Sequence, residues 1–130
     1  MSTLRKWECA MSDSPIELVR EFYRVVGNPI RDSPTAEVPD GEVEGIIELL
    51  DEEVQELREA LGDRDLAGIE EEVGDVLYVV YGIVLQFGID LDRVLRETHA
   101  KNMSKPNADG TVVKSEHGKI LRGDVYLERS

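Results

Sequence analysis

The sequence has 130 residues, of which 41% are hydrophobic and only 5% aromatic, and this predicts one domain with a modest aliphatic core. A formal net charge of -13 argues against nonspecific binding to nucleic acid, because an acidic surface repels the phosphate backbone. No apolar run reaches the ~18 residues that cross a bilayer, and the single cysteine, Cys9, forms no disulfide within the chain. We therefore expect a cytoplasmic protein that binds no membrane.

The chain divides into a short start, a helical body and a tail. Residues 1–14 predict a flexible lead-in, and residues 15–130 a single helical domain whose C-terminal tail covers about 106–130. Ser14-Pro15 is a signal for the start of a first helix, which Gly27 would end. A connector rich in proline follows.

Apolar residues then recur at helical spacing and predict a second helix from about Asp40 to Leu61, closed by Gly62. A third helix should follow an Asp63 or Asp65 cap and end at Phe87-Gly88. After Val73 this helix is apolar almost all round, so we expect it to be the central, buried one.

A fourth helix is predicted from the Asp90 cap to about Met103. Beyond it, turn residues alternate with short extended segments around Thr111–Val113 and Ile120-Leu121, which favour a β-hairpin or an extended tail. The expected fold is an all-α bundle of four to five helices with this short tail.

Acidic residues on the second and third helices are the most informative feature. Most acidic side chains on helices simply face solvent, and this interpretation stays open for the acidic residues of these two helices as a group. On a 100° wheel, however, Glu53 and Glu72 lie at the edge of the apolar stripe, and Glu56 and Asp75 follow one turn later. If the two helices pack antiparallel, the four carboxylates can converge.

Converging carboxylates raise one another's pKa unless a cation lies among them. Hard divalent cations prefer oxygen ligands, and Mg²⁺, for which Mn²⁺ can substitute, suits phosphate chemistry. The sequence therefore predicts a metal site at Glu53, Glu56, Glu72 and Asp75. Glu52 is adjacent and is the candidate acceptor of a proton from an attacking water.

Three other kinds of site are excluded by spacing. A di-iron carboxylate bundle needs Glu-x-x-His pairs, but Arg96 and Lys114 precede His99 and His117 by three residues. The segment after Asn107 lacks the alternating acids of an EF-hand, and no P-loop motif is present.

Several segments carry a family resemblance. Leu50–Leu57 (LDEEVQEL) matches an E-E-x-x-E motif, and Glu72–Leu77 (EVGDVL) matches an E-x-x-D motif. His99–Lys105 (HAKNMSK) resembles an H-x-x-N-x-S-K segment, and Asp109–Gly123 resembles a D-G…G-K-x-x-K-G tail. Over residues 42–123 the chain thus resembles the MazG-like, all-α NTP pyrophosphohydrolases, and within them the small, dimeric, dUTPase-like group.

The resemblance implies a homodimer or tetramer that hydrolyses a nucleoside triphosphate to the monophosphate and pyrophosphate, with dUTP as a candidate substrate and nucleotide-pool house-cleaning as a candidate role. It implies metal ligation by the four acids, and nucleotide contacts from Asn102 and Lys105.

An unusual concentration of basic residues after residue 100 adds Lys119 and Arg122 as candidate phosphate contacts; a solubilising tail is the alternative. A phosphoribosyl-ATP pyrophosphohydrolase-like enzyme and a non-enzymatic acidic helical module are the rival functions.

Overall fold

The computed structural model describes residues 14–123, so the expected lead-in lies almost entirely outside the described residues. They contain four helices: α1 (Pro15–Val26), α2 (Asp40–Asp63), α3 (Leu66–Phe87) and α4 (Leu91–Met103). Two strands follow, β1 (Val113–Lys114) and β2 (Ile120–Leu121). The expected all-α fold with a short hairpin tail is confirmed. The chain forms two compact units, one up to Ile89 and one from Asp90; the single domain over 15–130 stays a prediction.

The ends of α1 and α3 were predicted correctly from glycine residues in the sequence. Gly27 and Gly88 both adopt left-handed backbone conformations (φ 77° and 64°) at the ends of α1 and α3. At Gly88 the carbonyl oxygen of Ser33 occupies the space that a Cβ would need, so no other residue fits there without displacement. Asp90 caps α4 by accepting a hydrogen bond from the backbone N–H of Arg93 at 3.2 Å.

The predicted end of α2 is wrong. The helix continues past Gly62 to Asp63, and the left-handed cap is Arg64 (φ 53°), whose N–H donates to the carbonyls of Ala60 and Leu61. Two residues then separate α2 from α3. So short a connection makes α2 and α3 an antiparallel helical hairpin, and the packing of that hairpin offsets the strain of a non-glycine residue in this conformation.

The third helix is central in the first unit, where it packs against both α1 and α2. Its burial, however, is confined to its C-terminal half, at Val79, Gly82, Val84, Leu85 and Gln86. Val73, Leu77 and Val80 are 42%, 45% and 38% exposed, contrary to the expectation of a fully buried helix. These three side chains lie on the face of α3 opposite Gly82, the residue that Tyr23 of α1 contacts, so α1 does not cover them.

The connector between α1 and α2 crosses the C-terminal end of α3. The N–H groups of Arg31 and Thr35 donate to the carbonyls of Leu85 and Phe87 at 2.9 and 3.0 Å. These carbonyls have no partner within their own helix, so the connector stabilises the end of α3. Val38 of the connector is buried with the rest of the core.

The second unit consists of α4 and the hairpin. The strands pair antiparallel, with Val113 opposite Leu121 and Lys114 opposite Ile120. Ser115 closes the turn: its carbonyl accepts from Gly118 N–H at 3.0 Å, and its Oγ accepts from Lys119 N–H at 3.0 Å.

Among residues 14–123 no single helix is long and apolar enough to cross a membrane; α3 and α4 meet that test only when taken together across the break between them.

Candidate metal centre

The four predicted ligands come from facing turns of the α2–α3 hairpin. Glu53 and Glu56 are three residues apart on α2, and Glu72 and Asp75 are three apart on α3, so each pair lies on one helix face. One carboxylate oxygen from each of the four side chains lies within 4.8 Å of all the others. The predicted convergence is confirmed; ligation itself stays a prediction.

The antiparallel register explains which acids face each other. Glu53 precedes the end of α2 by ten residues and Asp75 follows the start of α3 by nine, so they lie at about the same level. Glu56 and Glu72 are likewise level, seven and six residues from the turn. The electrostatics agree: after burial, the charge of Asp75 contributes most to the raised pKa of Glu53, and that of Glu56 most to the raised pKa of Glu72.

Burial and mutual repulsion make the cluster resist full ionisation. Burial, followed by the charge of Glu56, raises the pKa of Glu72 to about 7. Burial, followed by the charges of Asp75 and Glu56, raises the pKa of Glu53, and a hydrogen bond with Glu72 offsets part of that rise. Near neutral pH Glu72 is therefore only partly ionised when no cation is bound.

Two oxygen atoms of the cluster have no partner. Glu53 Oε2 and Glu72 Oε2 are both buried, and neither forms a hydrogen bond within the described chain. No lysine or arginine of residues 14–123 forms an ion pair with any of the four acids; the four ion pairs found there involve other carboxylates. Buried oxygens normally have partners, so these two indicate a ligand that the protein itself does not provide.

A divalent cation fits this donor set. Four carboxylates from two rigid helices offer only hard oxygen ligands, as Mg²⁺, Mn²⁺ and Ca²⁺ prefer, and no softer nitrogen or sulfur donor belongs to the cluster. A cation would neutralise the repulsion that raises the pKa values and would coordinate the two orphaned oxygens. The cluster can therefore hold a metal ion.

Glu52, the predicted proton acceptor, does not belong to the four-carboxylate cluster. Its side chain is exposed on α2, immediately before Glu53. Its charge still contributes, in a minor way, to the raised pKa of Glu53, which places it in the electrostatic field of the cluster. That position suits a group that accepts a proton from solvent-accessible water.

The other predicted site residues lie together in the second unit. Lys105, Lys119 and Arg122 line one cavity of about 420 Å³, and Asn102 lines a second of about 350 Å³ that shares Lys105 and Lys119 with the first. The structure thus brings the candidate substrate-binding residues together. Lys101, near the end of α4, also lines the larger cavity; its place in the same basic segment as Lys105 is the sequence signal that could have identified it.

A partly buried polar network in the first unit was not predicted. Arg31 donates to both oxygens of Glu42 at 2.7 and 3.1 Å and to the carbonyl of Gln86 at 2.7 Å. Gln86 in turn donates to Glu42 at 3.4 Å and accepts from the hydroxyl of Tyr23 at 3.3 Å. The Arg31 network, formed by these four residues, ties α1, the connector, α2 and α3 together, and the hydrogen bond from Arg31 holds the pKa of Glu42 below its usual value.

One curated relative is similar to part of the chain. Over 79 residues, which are 58% of this chain, the sequence is 37% identical to the uncharacterized protein L479 of Acanthamoeba polyphaga mimivirus. The matched region spans only 32% of that viral protein.

The family model named phosphoribosyl-ATP pyrophosphohydrolase matches residues 19–102. This range contains both acidic motifs and Asn102, and it includes all of α2 and α3. Proteins of this family are hydrolases that act on acid anhydrides of phosphate. Because the match covers more than half of the chain and bears out the resemblance of its motifs, the chain belongs to the phosphoribosyl-ATP pyrophosphohydrolase family of MazG-like, all-α nucleotide pyrophosphohydrolases.

Proposed function

We propose that this protein is a Mg²⁺-dependent pyrophosphohydrolase that converts a nucleoside or deoxynucleoside triphosphate and water into the monophosphate and pyrophosphate. The observation that carries the proposal is the convergence of four carboxylate oxygens within 4.8 Å on the α2–α3 hairpin of a chain of this family. A site so acidic repels a triphosphate when empty and attracts it once cations are bound.

In this proposal Glu53, Glu56, Glu72 and Asp75 hold the metal. When bound, Mg²⁺ supplies charge for the phosphate oxygens and acidifies a water molecule. Glu52 accepts the proton of the attacking water as a new bond forms to the α-phosphorus. The α–β anhydride bond breaks, and its electron pair leaves with pyrophosphate.

Asn102, Lys105, Lys119 and Arg122 are proposed as substrate-binding residues. Lysine provides a compact, strongly hydrated charge and arginine a planar pair of donors, and both suit phosphate oxygens. The three basic side chains also line one cavity, which supports a shared role.

A substrate panel tests this proposal. The chain is incubated with Mg²⁺ and, separately, with dUTP, dCTP, dTTP, the ribonucleoside triphosphates and phosphoribosyl-ATP, and ³¹P NMR resolves the products. We expect monophosphate and pyrophosphate from dUTP above the others, and no product after a chelator is added. Such a preference would fit nucleotide-pool house-cleaning.

Phosphoribosyl-ATP is the second candidate substrate, since the family model that matches carries its name. Turnover of that compound alone would replace the triphosphate proposal. An absence of turnover for every compound, with Mg²⁺ and with Mn²⁺, would contradict both and favour an acidic helical interaction module.

A variant tests the assignment of the acids. Glu53→Gln retains the size of the side chain but removes a ligand charge, so turnover should fall to background. Glu48→Gln, on an exposed turn of the same helix, is the matched control and should keep wild-type turnover. Unchanged turnover in Glu53→Gln would overturn the metal-ligand assignment.

Self-association is proposed through α3, with a second copy of the chain as the partner. Val73, Leu77 and Val80 follow one another at spacings of four and three on that helix, so they form an apolar stripe of which each member is about 40% exposed. The chain's large negative charge opposes association, but this stripe is uncharged, and a twofold axis would place it against the same stripe of a second copy. A homodimer or tetramer in the cytoplasm is the proposed form.

A further inference from the structure

The Arg31 network and the acid cluster lie along the same interface between α2 and α3. Glu42 precedes Glu53 by eleven residues on α2, and Gln86 follows Asp75 by eleven residues on α3. Because the helices run antiparallel, the two pairs share one register and are roughly 16 Å apart along the helices. Eleven residues are about three full turns, so the network lies on nearly the same faces of both helices as the acids.

A close contact on the other side of the acids agrees with this register. Ala60 follows Glu53 by seven residues, and Gly68 precedes Asp75 by seven. A Cβ added at Gly68 would lie 3.4 Å from the Cβ of Ala60, so these two residues face each other near the turn between the helices. The acid cluster therefore lies between two points at which α2 and α3 are held together.

Arg31 holds the two helices together at the point farther from the turn. Its guanidinium donates to both carboxylate oxygens of Glu42, on α2, at 2.7 and 3.1 Å. The same group donates to the backbone carbonyl of Gln86, on α3, at 2.7 Å. The backbone N–H of Arg31 donates to the carbonyl of Leu85 at 2.9 Å, which fixes the connector against α3. One side chain thus bridges both helices that carry the acids.

This bridge opposes a repulsion that the acids themselves produce. The four carboxylates have oxygens within 4.8 Å of one another, and like charges at such distances repel. Before a cation binds, the repulsion pushes α2 and α3 apart at the level of the acids. The side chains of Arg31 and Glu42 are only 24% and 16% exposed, so solvent screens their ion pair less than one on the open surface. The bridge can therefore resist the separation of the helices.

We infer that Arg31 is a positioning residue of the metal centre: by bridging Glu42 and Gln86, it sets the level and the rotation at which the acids of α2 face those of α3. The guanidinium acts through the two helices and not by contact with the cation. The inference rests on one part of the proposed function, the ligation of a metal ion by the four acids.

Calorimetric titration with Mn²⁺ tests this inference, at a temperature at which circular dichroism shows that each chain is folded. Arg31→Met keeps a long side chain but removes every donor, so the affinity for Mn²⁺ should fall about three- to tenfold, a range typical of residues that modulate a site from a distance. Arg31→Lys keeps the charge but lacks the fork of donors, so its affinity should lie between those of Arg31→Met and the wild type.

Val19→Ala distinguishes positioning from a general loss of stability. Val19 is 2% exposed and lies on α1, which carries none of the four acids. Its truncation should lower the melting temperature but leave the affinity for Mn²⁺ at the wild-type value. Wild-type affinity in Arg31→Met, or an equal loss of affinity in Val19→Ala, would overturn the inference. If Arg31→Met does not fold, the same comparison is made with Arg31→Lys.

A parallel hydrolysis assay separates this inference from the proposed function. Triphosphate turnover by a chain whose affinity for Mn²⁺ is the same with and without Arg31 would overturn the inference alone. An affinity that depends on Arg31, in a chain that hydrolyses no triphosphate, would support the inference and contradict the proposed function. A wild-type chain that binds no Mn²⁺ would contradict both.

Discussion

Glu72 shows most directly how one side chain in the cluster depends on its surroundings. Its Oε2 is buried without a hydrogen-bond partner, and burial together with the charge of Glu56 raises its pKa to about 7. A metal ligand must be deprotonated. Binding of a cation near neutral pH therefore releases a proton, and affinity for the cation should rise as the pH rises through 7.

The same pKa predicts how the stability of the metal-free chain depends on pH. The pKa of Glu72 is about 7 when folded and about 4.5 when unfolded, so between these values the folded state binds more protons. The contribution of Glu72 to the free energy of unfolding is thus fully present below pH 4.5, and it is lost as the pH rises through 7. Glutamine at this position cannot ionise and does not lose that contribution.

We therefore expect Glu72→Gln to unfold in EDTA at a higher temperature than the wild type at pH 8, and at a similar temperature at pH 4.5. Thermal denaturation followed by circular dichroism measures both. The exposed neighbour Glu71→Gln should show no such difference. A gap between wild type and Glu72→Gln that does not grow with pH would contradict the electrostatic account.

At the scale of helices, one close contact fixes the packing of α1 on α3. A Cβ added at Gly82 would overlap the hydroxyl of Tyr23, which is held in place by its hydrogen bond to Gln86. Gly74, on the same helix, has no atom within 4 Å of an added Cβ. The two glycines therefore allow a matched comparison.

Gly82→Ala should destabilise the fold by about 1–3 kcal/mol, the usual cost of overpacking. Gly74→Ala should be neutral or stabilising by up to about 1 kcal/mol, because alanine favours a helix. Urea denaturation measures both. In a Tyr23→Phe background the cost of Gly82→Ala should be smaller, and an equal cost in both backgrounds would show that the hydroxyl is not the obstacle.

Local signals explain which parts of these elements could be predicted. Gly27 and Gly88 were identifiable because glycine favours the left-handed conformation that ends a helix. Arg64 was not, because its conformation is imposed by the α2–α3 hairpin. The four acids were identifiable because the positions three apart on each helix lie on one face, and the short connection sets the register between the helices.

The Arg31 network could not be predicted, since its hydrogen-bond partners are 11 to 63 residues apart in the sequence. The one local signal was Gln86, a polar residue in the apolar part of α3. It is only 8% exposed, and a buried amide needs partners. The apolar pattern of the helix shows that this amide needs a hydrogen-bond partner, but the pattern does not show which residue that partner is.

At the scale of the whole molecule, the exposed stripe on α3 is the feature that a single chain leaves unexplained. The apolar pattern predicts a surface that a partner covers, and α1 packs on the opposite face of the helix. Leu77, in the middle of the stripe, is 45% exposed, so a charge there would be solvated in a monomer but buried and unpaired in a dimer.

Leu77→Glu should therefore convert a dimer or tetramer to a monomer and leave the helical content unchanged. Light scattering coupled to size-exclusion chromatography measures the mass. Glu71→Lys, at an exposed position on another face of the same helix, controls for a change of charge. A wild-type chain that is monomeric at micromolar concentration would contradict the proposed self-association.

A titration with Mn²⁺, monitored by the electron paramagnetic resonance of the free ion, tests most directly the proposal that four carboxylates of the α2–α3 hairpin hold a divalent cation. At pH 8 the wild type and Glu48→Gln should bind Mn²⁺ equally, Mg²⁺ should compete, and Glu53→Gln should bind at least about tenfold more weakly. Equal binding of Mn²⁺ by Glu53→Gln and the wild type would contradict the account.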